Sequence, residues 1–142
     1  MRMDRRGYFK KVLKIVDNIE DYEWSSKYSK EILPLNSTSI LNYYDTIINS
    51  NKDVKLFIAF IQYEYYSWLD ENDTTLLSDF SIVFFVKDRK TGDIKPIVSI
   101  LSKEYNSYLL EDDEDFEKYS LPDIIRKIIE KEIDIGGLFD DI

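Results

Sequence analysis

The sequence predicts an α+β fold: about three antiparallel strands in a meander, covered by two N-terminal helices and one C-terminal helix. Three observations lead there. Apolar residues recur at three- and four-residue spacing near both ends of the chain. The middle holds runs of β-branched and aromatic residues, and Arg89-Lys90-Thr91-Gly92-Asp93 reads as the turn of a hairpin. The chain has 142 residues, 44% apolar and 33% charged, which suits one domain over 1–142 with a core of its own. No internal repeat or Pro-, Gly- or Ser-rich linker divides it.

The first helix spans Asp4 to about Glu20, with Tyr8, Phe9, Val12, Leu13, Ile15, Val16 and Ile19 on its apolar side. Its bases lie mostly opposite. It could rest on a membrane surface, but the acidic remainder of the chain would be repelled by anionic lipid, so packing on a core is favoured. Between Asp21 and Leu35, Ser25 or Ser26 is placed to cap a short helix ending before Pro34. Ser37, Thr38 and Ser39 are N-cap candidates for a second clear helix. Its stripe would be Ile40, Leu41, Tyr43, Tyr44, Ile47 and Ile48, and Asn49-Ser50-Asn51 would stop it.

Val54 to Trp68 is rich in β-branched and aromatic residues and reads as a long strand, buried on both faces at first and on one later, with a helix as the alternative. Asp70-Glu71-Asn72-Asp73 is a polar loop. Phe80 to Lys87 and Ile94 to Leu101 form the hairpin, with Gly92 available for a positive φ. Pro96 cannot donate to a ladder and belongs near a strand start, at an edge or at a bulge. Lys103 to Leu110 continues as a strand or short helix. Ser120-Leu121-Pro122-Asp123 opens the last helix, Ile124, Ile125, Ile128, Ile129 and Ile133 line it, and Gly136-Gly137 ends it.

Composition excludes several kinds of chemistry. The chain has no Cys and no His, which removes disulfides, thiolate nucleophiles, imidazole or thiolate metal sites and a Ser-His-Asp triad. Only four glycines are present, too few for a glycine-rich nucleotide-binding architecture. No apolar run is long enough for a transmembrane helix and Met1 to Lys14 lacks the features of a secretory signal, so the cytosol is the expected compartment.

Three carboxylate motifs fail on geometry or specificity. Asp79 with Asp93-Ile94-Lys95 fits the letters of a metal-dependent nuclease, but the two parts open opposite ends of the expected hairpin, about 25 Å apart at ~3.3 Å per residue. Asp70, Asn72 and Thr74 begin like a calcium loop, but Thr75 stands where glycine is needed and Ser81 where the bidentate acid belongs. A glycosidase pair cannot be selected from 28 acids. The expectation is therefore no metal, no cofactor and no enzymatic reaction.

Charge is the informative property. The net charge is −9, yet residues 1–14 carry six bases (Arg2, Arg5, Arg6, Lys10, Lys11 and Lys14) against Asp4 alone, which leaves the remainder strongly acidic. Aromatics are interleaved with acids in Asp21-Tyr22-Glu23-Trp24 and Tyr63-Glu64-Tyr65-Tyr66. That pattern repels nucleic-acid phosphate and suits a protein surface rich in Lys and Arg.

In size and charge alone, the chain resembles toxin-neutralising immunity proteins and phage-encoded anti-defence (anti-CRISPR-like) inhibitors. The resemblance implies an acidic, antitoxin-type protein that covers the basic site of a nucleic-acid-acting enzyme, a toxin or a defence nuclease. Candidate contacts are the anchors Trp24, Tyr66 and Trp68, the loop acids Asp70, Glu71 and Asp73, and the run Glu111, Asp112, Asp113, Glu114 and Asp115, with placement in the core as the alternative for Trp24, Tyr63 and Trp68. Two rivals remain. One is a small enzyme or ligand-binding domain with buried carboxylates and tyrosines in a pocket. The other is a homodimer docked through the apolar tail Leu138 to Ile142.

Overall fold

The computed structural model describes residues 3–68, 74–111 and 118–132. It is an α+β structure whose four strands, β1 (Ser37–Ser50), β2 (Val54–Trp68), β3 (Thr74–Asp88) and β4 (Ile94–Leu101), form an antiparallel meander in the order β1-β2-β3-β4. Three α-helices accompany it: α1 (Arg5–Val16), α2 (Ser102–Glu111) and α3 (Leu121–Glu132).

The largest difference from the expectation is at residues 37–50, which form strand β1 instead of a second helix. The reason lies in the ladder. Its register shifts between Ser37 and Ser39, between Ile40 and Asn42, and between Ile47 and Asn49, so Thr38, Leu41 and Ile48 are inserted residues. Two of these insertions place an apolar residue beside another and turn a period of two into apparent spacings of three and four. Helix formers are also scarce here, while Ser, Thr, Asn and Asp are frequent. The segment before it holds 3₁₀ turns at Ile19–Asp21 and Lys30–Ile32 in place of a short α-helix, and Ser25 caps nothing. Instead Ser25 forms a bridge with Asp45 on the outer edge of β1, through N–H···O bonds of 2.8 and 2.9 Å.

The other elements keep their expected type with shifted bounds: α1 ends at Val16, short of Glu20, and β3 begins at Thr74, six residues before Phe80, while Ile133 and the expected stop at Gly136-Gly137 lie outside the described residues. Asp4 caps α1, its carboxylate accepting the Gly7 N–H at 2.7 Å. α1 turns Phe9, Val12, Leu13, Ile15 and Val16 inward against the sheet. Ser120 accepts from the Asp123 N–H at the head of α3, which buries Leu121, Ile124, Ile125 and Ile128. Lys103 to Leu110 resolves as helix α2. Gly92 takes φ +77 in the β3–β4 turn. Pro96 lies near the start of the edge strand β4, beside a register shift between Phe84 and Phe85. Beyond it Arg5 donates to the Ser99 carbonyl at 2.6 Å and reaches both Glu104 oxygens at 2.6 Å, capping that exposed edge.

The strands divide their side chains between two cores. Ile58 and Phe60 of β2, Ile82 and Phe84 of β3 and Ile100 of β4 meet α1, α3 and Tyr105 of α2 on one face. Ala59, Ile61 and Tyr63, with Tyr43, Val83 and Phe85, occupy the other face, where Ile32 and Leu33 of the chain before β1 lie across them. The central strands are therefore covered on both sides at mid-length, which explains their unbroken apolar run. Among the described residues no helix is long and apolar enough to cross a membrane.

Candidate functional site

β2 and β3 are longer than their neighbours. The β1 ladder stops at Ser37 opposite Tyr65, and the β4 ladder stops at Leu101 opposite Ser81. Past those points β2 and β3 continue alone, pairing Tyr66 with Leu76, Ser67 with Thr75 and Trp68 with Thr74. The result is a two-stranded arm that projects about 10 Å beyond the sheet at ~3.4 Å per residue.

Alternation along the unshifted β2–β3 ladder fixes what each arm face carries. Glu64, Tyr66, Trp68, Thr74 and Leu76 follow Ile58, Phe60 and Ile82 and so lie on the helix side of the sheet. The helices do not reach them: Tyr66 is 56%, Trp68 71% and Leu76 47% exposed. Tyr65 and Leu77 lie on the opposite side, with Leu77 40% exposed. Monomers normally leave large apolar side chains exposed singly, whereas here four sit within one short ribbon.

The charge around the arm has a single sign. From residue 63 to residue 80 the sequence holds Glu64, Asp70, Glu71, Asp73 and Asp79 and no Lys or Arg. Glu64 accepts the Ser39 hydroxyl at 2.7 Å, and Asp79 accepts the Phe80 N–H and the Ser102 hydroxyl. Among the described residues neither acid is in an ion pair. The other end of the same hairpin is the reverse. There the β1–β2 and β3–β4 turns meet, the Arg89 N–H donating to the Asp53 carbonyl at 2.9 Å. Residues 52–55 and 87–95 hold six bases (Lys52, Lys55, Lys87, Arg89, Lys90 and Lys95) against Asp53, Asp88 and Asp93. The Lys90 and Thr91 N–H groups hold the Asp88 carboxyl below the usual range, so that acid is spent on the turn.

The structure separates the expected contact residues. Tyr66 and Trp68 come together on the arm. Trp24 does not join them. It is 7% exposed, packs on Phe60 with ring centroids 5.8 Å apart, and donates its indole N–H to the Ile19 carbonyl at 3.1 Å. It is a core residue, and an anchoring role at the surface is closed to it. Glu111 ends α2 and pairs with Arg6 of α1, so its charge is already met within the molecule. Asp70, Glu71, Asp73, Asp112, Asp113, Glu114 and Asp115 lie outside the described residues, as does the tail Leu138–Ile142. Leu76 and Leu77 lie in β3 ahead of Phe80, where the sequence predicts the hairpin strand to begin. The available signal was the apolar pair Leu76-Leu77 facing Tyr65-Tyr66 across a short acidic linker.

Two other places bear on the rival readings. Asp45, 8% exposed, is the buried acid of the strand face opposite the helices. Burial pushes its carboxyl upward, while the Tyr43 hydroxyl at 2.5 Å and the charge of Lys87 pull it down; burial and the carboxylate together push the Tyr43 phenol up. An open cleft of about 790 Å³ lies between the end of α1 and α3, lined by Asp17, Glu20, Asp21 and Glu130 and by Lys127 and Lys131. Both lysines are engaged, Lys127 over the Tyr119 ring at 4.5 Å and Lys131 on the Tyr22 carbonyl. Asp79 and Asp93 stand at opposite ends of the β3–β4 ladder, as the nuclease test required them not to be. Among the described residues no three acids converge as metal ligands.

Comparison with protein-family models, with curated proteins and with solved structures finds no match to this chain.

Proposed function

We propose that this protein is a small acidic inhibitor of the immunity-protein or antitoxin kind, which neutralises a basic, nucleic-acid-acting enzyme by covering its cationic surface. One observation carries the reading. The sequence of the β2–β3 hairpin holds acids and no base around its exposed aromatics at one end, and six bases against three acids at the other. An enzyme that binds phosphate presents Lys and Arg in a groove, and carboxylates at this end of the hairpin can take the positions phosphates would occupy. A directed charge distribution also speeds encounter and orients it, which an evenly charged surface would not do. The cytosol is the compartment where such an encounter would take place, and no direct nucleic-acid contact is involved.

Capture from cells that carry the gene tests this. The tagged full chain and a variant with Glu64, Asp70, Glu71, Asp73 and Asp79 changed to amides are compared side by side. The reading expects the wild type to retain a basic nucleic-acid-processing protein that the variant releases at low salt. Retention of an acidic partner, or equal retention by the variant, would contradict it.

A further inference from the structure

We infer that the helix-side face of the arm, formed by Tyr66, Trp68 and Leu76, is where the partner docks, and that its occupant is a segment of a cationic protein bearing both Arg and apolar side chains. This rests on the inhibitor reading and deepens it. Charge alone would place a partner loosely around the acidic end. The three apolar groups supply a place to sit.

The geometry favours one occupant over the others. Tyr66 pairs with Leu76 across the ladder and Trp68 with Thr74, so the apolar groups form one continuous strip on one side of a ribbon. Among the described residues no third strand borders the strip, because β1 and β4 both stop before it. A second copy of this chain is disfavoured. It would bring two stretches of five acids and no base against each other. A single-stranded nucleic acid could stack on Tyr66 and Trp68, but the same acids repel its phosphates. An Arg-bearing protein segment meets both demands. Its guanidinium stacks on the Trp68 or Tyr66 ring while pairing with Glu64 on the same face, and its apolar side chains cover Leu76.

The two tryptophans make the test direct, since one is buried and one exposed. The full chain labelled with 5-fluorotryptophan gives a ¹⁹F signal from each, and Trp24 serves as the internal control. The probes are a synthetic amphipathic Arg/Leu peptide, its Arg/Ser and Glu/Leu counterparts, and oligo(dT). The inference expects the Arg/Leu peptide to shift the Trp68 signal saturably and to leave Trp24 in place. It expects binding about tenfold weaker with Arg/Ser or with Leu76→Ser, and none with Glu/Leu. A Trp68 signal unmoved by the Arg/Leu peptide would overturn it. So would an equal shift with oligo(dT), or a shift that tracks protein concentration with no peptide present. If the peptide fails while a captured basic enzyme is still lost on amidation of the arm acids, docking on this face falls and the inhibitor reading stands. If Trp68 responds and no basic partner is ever retained, the reverse holds.

Discussion

The waist and the arm of the β2–β3 hairpin are built from the same kinds of residue and behave oppositely. At the waist, Ile58, Phe60, Ile61 and Phe84 are almost fully buried, and Phe57 stacks on Phe85 with ring centroids 4.8 Å apart. In the arm, Tyr66, Trp68 and Leu76 continue the same ladder and remain exposed. Strand propensity is therefore satisfied along the whole hairpin, while burial is confined to its middle. Aromatics at the waist hold the fold together. Those of the arm contribute little to it, and a two-stranded ribbon is at best marginal alone, so their presence calls for an explanation outside folding.

Substitutions that separate the two regions follow from this, the largest effect first. Phe60→Ala removes a fully buried ring that packs on Trp24 in the helix-side core and should cost about 3–5 kcal/mol in urea unfolding. Asp45→Asn keeps an acceptor for the Tyr43 hydroxyl and abolishes a buried charge. Because the folded-state carboxyl of Asp45 titrates above its unfolded value, the wild type gains stability from this group as pH falls through that raised value and loses it as pH rises. Unfolding midpoints should thus converge in acid and favour the Asn variant at neutral pH; parallel curves would show that Asp45 is not desolvated. Gly92→Ala meets no atom within 4 Å but forces an L side chain to φ +77, and about 1–2 kcal/mol should be lost in thermal unfolding. Trp68→Ala should lie within about 0.5 kcal/mol of the wild type. A loss comparable to that of Phe60→Ala would mean that the arm is part of the core, and the comparison would collapse.

The legible parts of the fold were those where one physical rule acts alone. α1, α3 and the 89–93 turn each carry an unbroken period, a cap or a φ requirement, while β2 was legible only from its β-branched and aromatic content, with a helix as the alternative. β1 was misread because Leu41 and Ile48, both inserted at register shifts, counterfeit a helical stripe. Only pairing with β2 reveals which residues are extra. The site was legible in part for a similar reason. Tyr66 and Trp68 were named from their acidic neighbours, and so was Trp24, since the same letters surround it. What separates them is the chain after Ile19, which brings Trp24 onto Phe60 and gives its N–H a carbonyl. Likewise Glu111 could not be known as compensated until α1 and α2 were placed together and Arg6 reached it.

The central claim is that the arm inhibits by occupying a cationic site. The most direct measurement is a titration of the captured enzyme's nucleic-acid-processing activity with the purified full chain and with the variant in which Glu64, Asp70, Glu71, Asp73 and Asp79 are amides. Activity is expected to fall linearly to nothing at about one equivalent of wild type. The variant should inhibit at least about tenfold more weakly, with a shallower dependence on salt. Full activity in excess wild type, or inhibition by the two proteins alike, would contradict it.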